Sequence, residues 1–82
     1  MPRGFKVGIY SSEKVLYEGQ ALSLIVPCRS GYLGILADHA PLAGRLAAGK
    51  ITLRQPEGKV SVIDSSPEGF IEVLKNQATI LL

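Results

Sequence analysis

Three side chains in this 82-residue sequence carry the types that could make a nucleophile, a base or a metal ligand close together: Cys28, Asp38 and His39, the cysteine and histidine each occurring once. Asp38 and His39 invite an acid–base reading. Neighbouring side chains on an extended segment point to opposite faces, so this pair cannot make the orienting hydrogen bond of a triad. Cys28 with His39 has the residue types for thiol catalysis, yet no third group is in view to orient the imidazole, and unpaired cysteines mostly serve as small buried apolar groups. A zinc-type site wants three or four converging ligands, and one histidine plus one cysteine leaves only scattered carboxylates to complete it. No Gly-x-Ser-x-Gly elbow and no Gly-x-x-x-x-Gly-Lys-Ser/Thr phosphate loop occurs. No catalytic residue, metal ligand or cofactor-binding residue is therefore assigned, and the chain is expected not to be an enzyme.

Two of these three residues lie within the densest stretch of the chain, Gly31 to Leu42, where glycines, a proline and an apolar run crowd around His39. Gly31 and Gly34 suit turns or close chain approach. Pro41 lacks an N–H and pushes Ala40 towards extended backbone, so Asp38 to Pro41 cannot continue as a central strand. A short strand thus runs into a rigid corner that places Asp38, His39 and Pro41 beside Leu36 and Leu42. Two readings stay open for this corner: a tight connection with its leucines in the core, or an interaction surface carried on a loop.

The elements around it must be short. Eighty-two residues make one domain, spanning 1–82, which buries only about 60% of the surface its unfolded chain exposes. Hydrophobic residues at 46% and charged residues at 20% fit a globular chain. The apolar runs fall far short of the roughly 18 residues a membrane span needs, so no direct membrane insertion is expected. Met1 to Gly4 leads straight into strand-like sequence, without the pattern of a signal or transit peptide. A net charge of +2, with no two basic residues adjacent, gives no nucleic-acid footprint. Charge is nevertheless uneven, +4 up to Arg54 and −2 from Gln55 onward. A single cysteine leaves no internal disulfide and fits a reducing compartment.

Phe5, Val7 and Ile9 alternate with Lys6, Gly8 and Tyr10, the period of a strand with one buried face. Ser11 to Glu13 turns the chain into a second strand over Lys14–Glu18. Ala21–Val26 is apolar on both faces, as in a strand sandwiched between layers, and Pro27 is expected to end it. Cys28 to Gly31 is a polar loop before the strand Tyr32–Leu36. Arg45 to Ala48 reads as a short strand or turn between two glycines. Lys50–Gln55 alternates with Ile51 and Leu53 inward, and Pro56-Glu57-Gly58 connects it to Lys59–Asp64, whose Val60 and Val62 are expected to face the same core. After the loop Asp64–Gly69, Phe70–Leu74 and Ala78–Leu82 form a last hairpin around Asn76-Gln77. Some eight to ten short strands with Gly, Pro and Ser breaks predict an all-β sandwich or barrel.

Gly31, one residue, Leu33-Gly34-Ile35-Leu36, two residues, then His39-Ala40-Pro41-Leu42 resembles the signature of the epsilon subunit of F-type ATP synthases. Val15-Leu16-Tyr17-Glu18-Gly19, Leu24-Ile25-Val26-Pro27 and Gly69-Phe70-Ile71-Glu72-Val73 resemble three further motifs of that family in the same order. The likeness covers essentially the whole chain. It implies a flattened sandwich of two antiparallel sheets and a non-catalytic place in the rotor's central stalk, joining the gamma subunit to the ring of c subunits so that ion flow is coupled to ATP synthesis. By motif position it implies a gamma-facing surface of Ser11, His39, Ala40, Pro41 and Leu42, and a ring-facing loop of Cys28, Arg29, Ser30, Gly31 and Tyr32. Relatives often carry an acid in that loop, where this chain has Arg29 and Tyr32.

The resemblance also implies a peripheral position on the cytoplasmic face of a bacterial inner membrane, rather than a chloroplast or other organelle, and a monomer when isolated. The family's C-terminal helical hairpin, which can extend along gamma and block rotation, does not follow Leu82 in this sequence, so the inhibitory function is expected to be missing. Aspartate at Pro41 or Leu42 is expected to weaken gamma binding more than folding. The competing reading is a free-standing sandwich that binds a small ligand or carbohydrate. It would want aromatics in a groove, whereas there is no tryptophan and Tyr10, Tyr17 and Tyr32 are dispersed.

Overall fold

Alternation translates directly into strands in the computed structural model, which describes residues 3–82. Strand β1 (Phe5–Tyr10) buries Phe5, Val7 and Ile9, and pairs with β2 (Val15–Ala21). Strands β3 (Ser23–Cys28), β4 (Gly31–Ile35), β5 (Leu42–Arg45), β6 (Gly49–Arg54), β7 (Val60–Ser65), β8 (Phe70–Leu74) and β9 (Gln77–Leu81) complete the chain, and the described residues hold no helix. They form two sheets, five strands in the order β2-β1-β9-β8-β5 and four in the order β4-β3-β6-β7. The expected two-sheet sandwich is what the chain builds, and its extents of 35 × 25 × 19 Å make it flattened.

The core lies between the sheets. Val7, Ile9, Ile71 and Ile80 face Leu24, Val26, Ile35, Ile51 and Leu53, all essentially without solvent exposure. Each such side chain contributes about 1.5–3 kcal/mol by leaving water, an upper estimate because unfolded chains already bury some surface. No side-chain polar atom is left buried without a partner among the described residues.

Several local expectations are revised by the pairing. The ladder between β1 and β9 is parallel, matching Lys6 with Gln77 through Tyr10 with Leu81, so the larger sheet is mixed. A tight hairpin forces its two strands antiparallel, whereas β1 and β9 are linked through the rest of the chain and are free of that constraint. Strand β3 is not buried along both faces, since Ile25 lies on the solvent side; of that parity only Pro27 is buried. It also continues through Pro27 to Cys28. Pairing with β6 stops at Ile25, so Pro27 costs that ladder no donor, and pairing with β4 carries the strand on.

Val60 and Val62 point outward, not into the core. The register sets Ser61 opposite Leu53 and Ile63 opposite Ile51, which turns the other parity of β7 inward. That register is fixed by the connecting turn, where Gln55 N donates to Lys59 O at 2.8 Å and Gly58 N to Gln55 O at 2.8 Å. Gln55 Nε2 also donates to Ser61 Oγ at 3.3 Å, giving the inward hydroxyl a partner. The last hairpin turns one residue earlier than expected, on Lys75-Asn76, both with positive φ (50° and 61°) as a type I′ turn requires.

Candidate interaction surfaces

The sandwich has two ends, and the sequence-predicted residues divide between them. One end carries Leu22, the corner from Leu36 to Pro41, the Gln55–Lys59 turn and the Lys75-Asn76 turn. The other carries the Ser11–Lys14 turn, the Arg29-Ser30 turn, Leu46 to Ala48, Ser66 to Gly69 and Leu82.

At the first end the corner is held by hydrogen bonds its own sequence does not announce. Asp38 sits at φ 64°, a left-handed conformation that aspartate tolerates better than most residues. Its N–H donates to Asn76 Oδ1 at 2.6 Å, Asn76 Nδ2 donates to Gly4 O at 3.5 Å, and Lys6 N donates to Asn76 O at 3.2 Å. Its carboxylate takes Arg3 Nη1 at 2.5 Å. His39 N donates to Leu36 O at 3.3 Å, and His39 Nδ1 lies 2.7 Å from Ala40 O. A carbonyl oxygen only accepts, so Nδ1 carries the proton. Aspartate and histidine are thus committed to different partners and do not meet.

The corner presents Leu36, Ala40 and Pro41 to solvent, while His39 and Leu42 are half-buried. Leu42 starts β5 opposite Val73 and packs against the core. Leu42 therefore takes part in packing, as a tight connection requires, while Leu36 and Pro41 stand in solvent. Asn76 was missed because its role depends on a residue 38 positions away. The one available signal was an asparagine in a two-residue turn between strands.

Leu36 is not alone on its face. Pairing Ile25 with Gly34 and Thr52, Thr52 with Val62, and Arg54 with Val60 puts these residues on the outer side of the four-stranded sheet. The large apolar side chains there are well exposed: Tyr32 63%, Leu36 63%, Val62 57%, Val60 51% and Ile25 42%. Scattered surface leucines need no explanation, whereas five large apolar groups on one sheet face make an exposed apolar patch; Val15, Phe70, Leu74 and Leu81 are likewise exposed on the five-stranded sheet.

At the second end, Cys28 and Gly31 close the β3–β4 hairpin around Arg29 and Ser30. Gly31 has φ 129°, outside what a side chain-bearing residue adopts readily. Cys28 is half-buried and its thiol is free. His39 lies past the far end of the same hairpin, so no cysteine–histidine pair forms. Tyr32 covers Pro27 and Gly49: a Cβ on Gly49 would meet Pro27 Cβ and Tyr32 Oη at 3.0 Å. Beside it Lys50 pairs with Asp64, a bond that holds the lysine pKa above its ordinary value, with the Asp64 charge adding to the effect.

Ser11 also lies at this end. Its hydroxyl accepts from Lys14 N at 3.2 Å and Glu13 N at 3.4 Å, shaping the β1–β2 turn. The structure brings His39, Ala40, Pro41 and Leu42 together but sets Ser11 the length of β1 away, roughly 20 Å at 3.3 Å per residue. Among the described residues no three of His, Cys, Asp and Glu converge on a point.

This geometry defines an all-β sandwich whose chemically distinctive parts are surfaces and loops at its two ends. A family model described as "ATP synthase, Delta/Epsilon chain, beta-sandwich domain" matches residues 4–82. The chain belongs to that family. It is 45% identical over 76 residues to the ATP synthase epsilon chain of Leptospira interrogans, covering 93% of this chain and 58% of that one. It is 37% identical over 81 residues to the epsilon chain of Dichelobacter nodosus, covering 99% and 56% respectively. A cyanelle epsilon chain from Cyanophora paradoxa is also 37% identical, over 76 residues. The chain thus spans less than two thirds of the length of these relatives.

Among solved structures, a chain of the Euglena gracilis mitochondrial ATP synthase (OSCP/F1/c-ring) superposes with a TM-score of 0.88 at 19% identity, over 99% of this chain and 51% of that one. One from the Tetrahymena thermophila mitochondrial enzyme (central stalk/c-ring) gives 0.76 at 14% identity, over 93% and 60%. These likenesses bear on the fold alone.

Proposed function

We propose that this chain is the sandwich of a central-stalk subunit of an F-type ATP synthase, a non-catalytic joint between the gamma subunit and the c-ring. The observation that carries the reading is the exposed apolar face of the four-stranded sheet, running from Val62 and Ile25 to Leu36 beside the corner. A face of this kind gains stability when a partner covers it. The gamma-facing surface is read as this face together with His39, Ala40, Pro41 and Leu42. A partner that also reached Ser11 would have to run the length of the sandwich. The ring-facing end is read as the loop Cys28, Arg29, Ser30, Gly31 and Tyr32, on the opposite end from the corner, as a joint between two partners requires. The working position is peripheral, on the cytoplasmic face of a bacterial inner membrane, in keeping with the bacterial relatives.

Capture of a purified bacterial gamma subunit by the immobilised 82-residue chain tests this. Capture that Val62→Asp and Ile25→Asp both abolish, with the fold intact, is the expected result. Failure of the wild-type chain to hold gamma would overturn it. A small-ligand module fits less well, because the surface depression lined by Lys6, Gly8, Tyr10, Glu18 and Gln77 offers one aromatic ring, and its hydroxyl is already given to Glu18 at 2.8 Å.

A further inference from the structure

At the end that carries the Arg29-Ser30 turn, a cavity of 330 Å³ is lined by Arg29, Arg45, Leu46, Ala47, Ala48 and Pro67. Arg29 comes from the β3–β4 turn and Arg45 is the last residue of β5, so two elements of different sheets each place one arginine on the lining. Neither has an ion-pair partner among the described residues, and no acidic side chain lines the space. The floor is fixed by backbone: Leu46 N donates to Gly69 O and Ala47 N to Pro27 O, each at 2.9 Å. Two arginines without an ion-pair partner among the described residues thus line one cavity together with the apolar Leu46, Ala47, Ala48 and Pro67.

We propose that this cavity receives the carboxylate of an acidic side chain presented on a protein loop. Guanidinium forks match a carboxylate bidentately, and their planar, weakly hydrated charge tolerates partial enclosure better than an ammonium does. The choice of a carboxylate on an aliphatic stem over a phosphate follows from the floor. Methylenes of Glu or Asp gain by covering the apolar lining of Ala47, Ala48 and Pro67, whereas a phosphate ion meets the same arginines but has no carbon to set against that lining. The site rests on the ring-facing reading above only for the carrier of the loop, which would then be the c-ring.

The test is an NMR titration of the 15N-labelled 82-residue chain with three probes: N-acetylglutamate methylamide, the neutral N-acetylglutamine methylamide, and inorganic phosphate. Expected are saturable shifts at the Arg29 and Arg45 side-chain Nε–H groups and at the Ala47 and Ala48 amides with the glutamate compound, none with the glutamine compound, and weaker binding of phosphate. Arg29→Gln and Arg45→Gln should each weaken the glutamate response, and the double variant should abolish it with the remaining amide spectrum unchanged. No saturable response to the glutamate compound, an equal response to the neutral one, phosphate binding as tight, or an unaffected double variant would each overturn the proposal. A parallel measurement separates it from the assembly reading. A wild-type chain that shows the glutamate response yet fails to bind a gamma–c-ring complex would sink the ring-facing role and leave the carboxylate site standing.

Discussion

The backbone N–H of Asp38 donates to Asn76 Oδ1 at 2.6 Å, tying the corner before β5 to the turn between β8 and β9. Asp38 starts from a left-handed backbone conformation, and so does Asn76, so each needs its partner to stay where it is. The bond joins the surface proposed for gamma to the hairpin that completes the five-stranded sheet.

Replacing Asn76 tests that tie. Asn76→Ala removes the acceptor and puts an ordinary side chain at φ 61°, and is expected to cost about 1–3 kcal/mol. Asn76→Gly keeps the turn and loses only the hydrogen bonds, so it should cost less, about 1 kcal/mol. Urea unfolding of both variants checks the order. Equal stability of all three proteins would show that the corner is held by packing alone.

The corner separates packing from contact residue by residue. Pro41→Asp and Leu36→Asp replace exposed groups and should shift stability by no more than about 0.5 kcal/mol while weakening gamma binding. Leu42→Asp places a charge against the core and should cost several kcal/mol of folding stability, on the order expected for an unpaired charge leaving water. Aspartate at Leu42 therefore cannot report on binding alone, contrary to what the sequence suggests. Thermal melts set beside gamma affinities distinguish the two classes.

Alkaline pH should weaken the fold. The hydrogen bond from Tyr10 to Glu18 raises the tyrosine pKa above 10.0, burial raises that of Tyr17, and the bond to Asp64 raises that of Lys50 above 10.5. All three groups hold their protons more tightly in the folded chain. Their contribution is complete below the unfolded values and is lost as pH rises through the raised ones. Unfolding midpoints in urea are expected to fall above about pH 10. A Cβ on Gly8 would lie 2.4 Å from Tyr10 Oη, so Gly8→Ala should push the ring aside and bring its absorbance titration back towards the ordinary value. A titration unmoved in that variant would show that the Glu18 bond survives by another path.

A brake on rotation needs an element with two positions, and the described residues form only short strands. Added to an ATP synthase stripped of its epsilon subunit, these 82 residues should restore ion-driven synthesis while inhibiting hydrolysis little. Side-by-side assays of synthesis and hydrolysis decide it. Strong inhibition relieved by ATP would place a brake in the sandwich itself.

Sequence alone determined the all-β class, because a period of two in Phe5–Ile9, Lys50–Arg54 and Phe70–Leu74 can bury an apolar face only as strands. It also determined the corner, since Pro41 removes a donor and fixes its own φ wherever it stands. Its motif order carried the family. Tertiary structure decided what depends on which residues lie opposite one another. The run Val60 to Ile63 is apolar on both parities, and only the turn from Gln55 to Lys59 determined that Ile63 faces the core while Val60 and Val62 join Ile25 on the outside. The parallel seating of β1 on β9 placed Tyr10 beside Leu81, and Ser11 with it at the end away from His39. The convergence of Arg29 with Arg45, and of Asp38 with Asn76, joins residues far apart in the chain through sheet order, which no local pattern encodes.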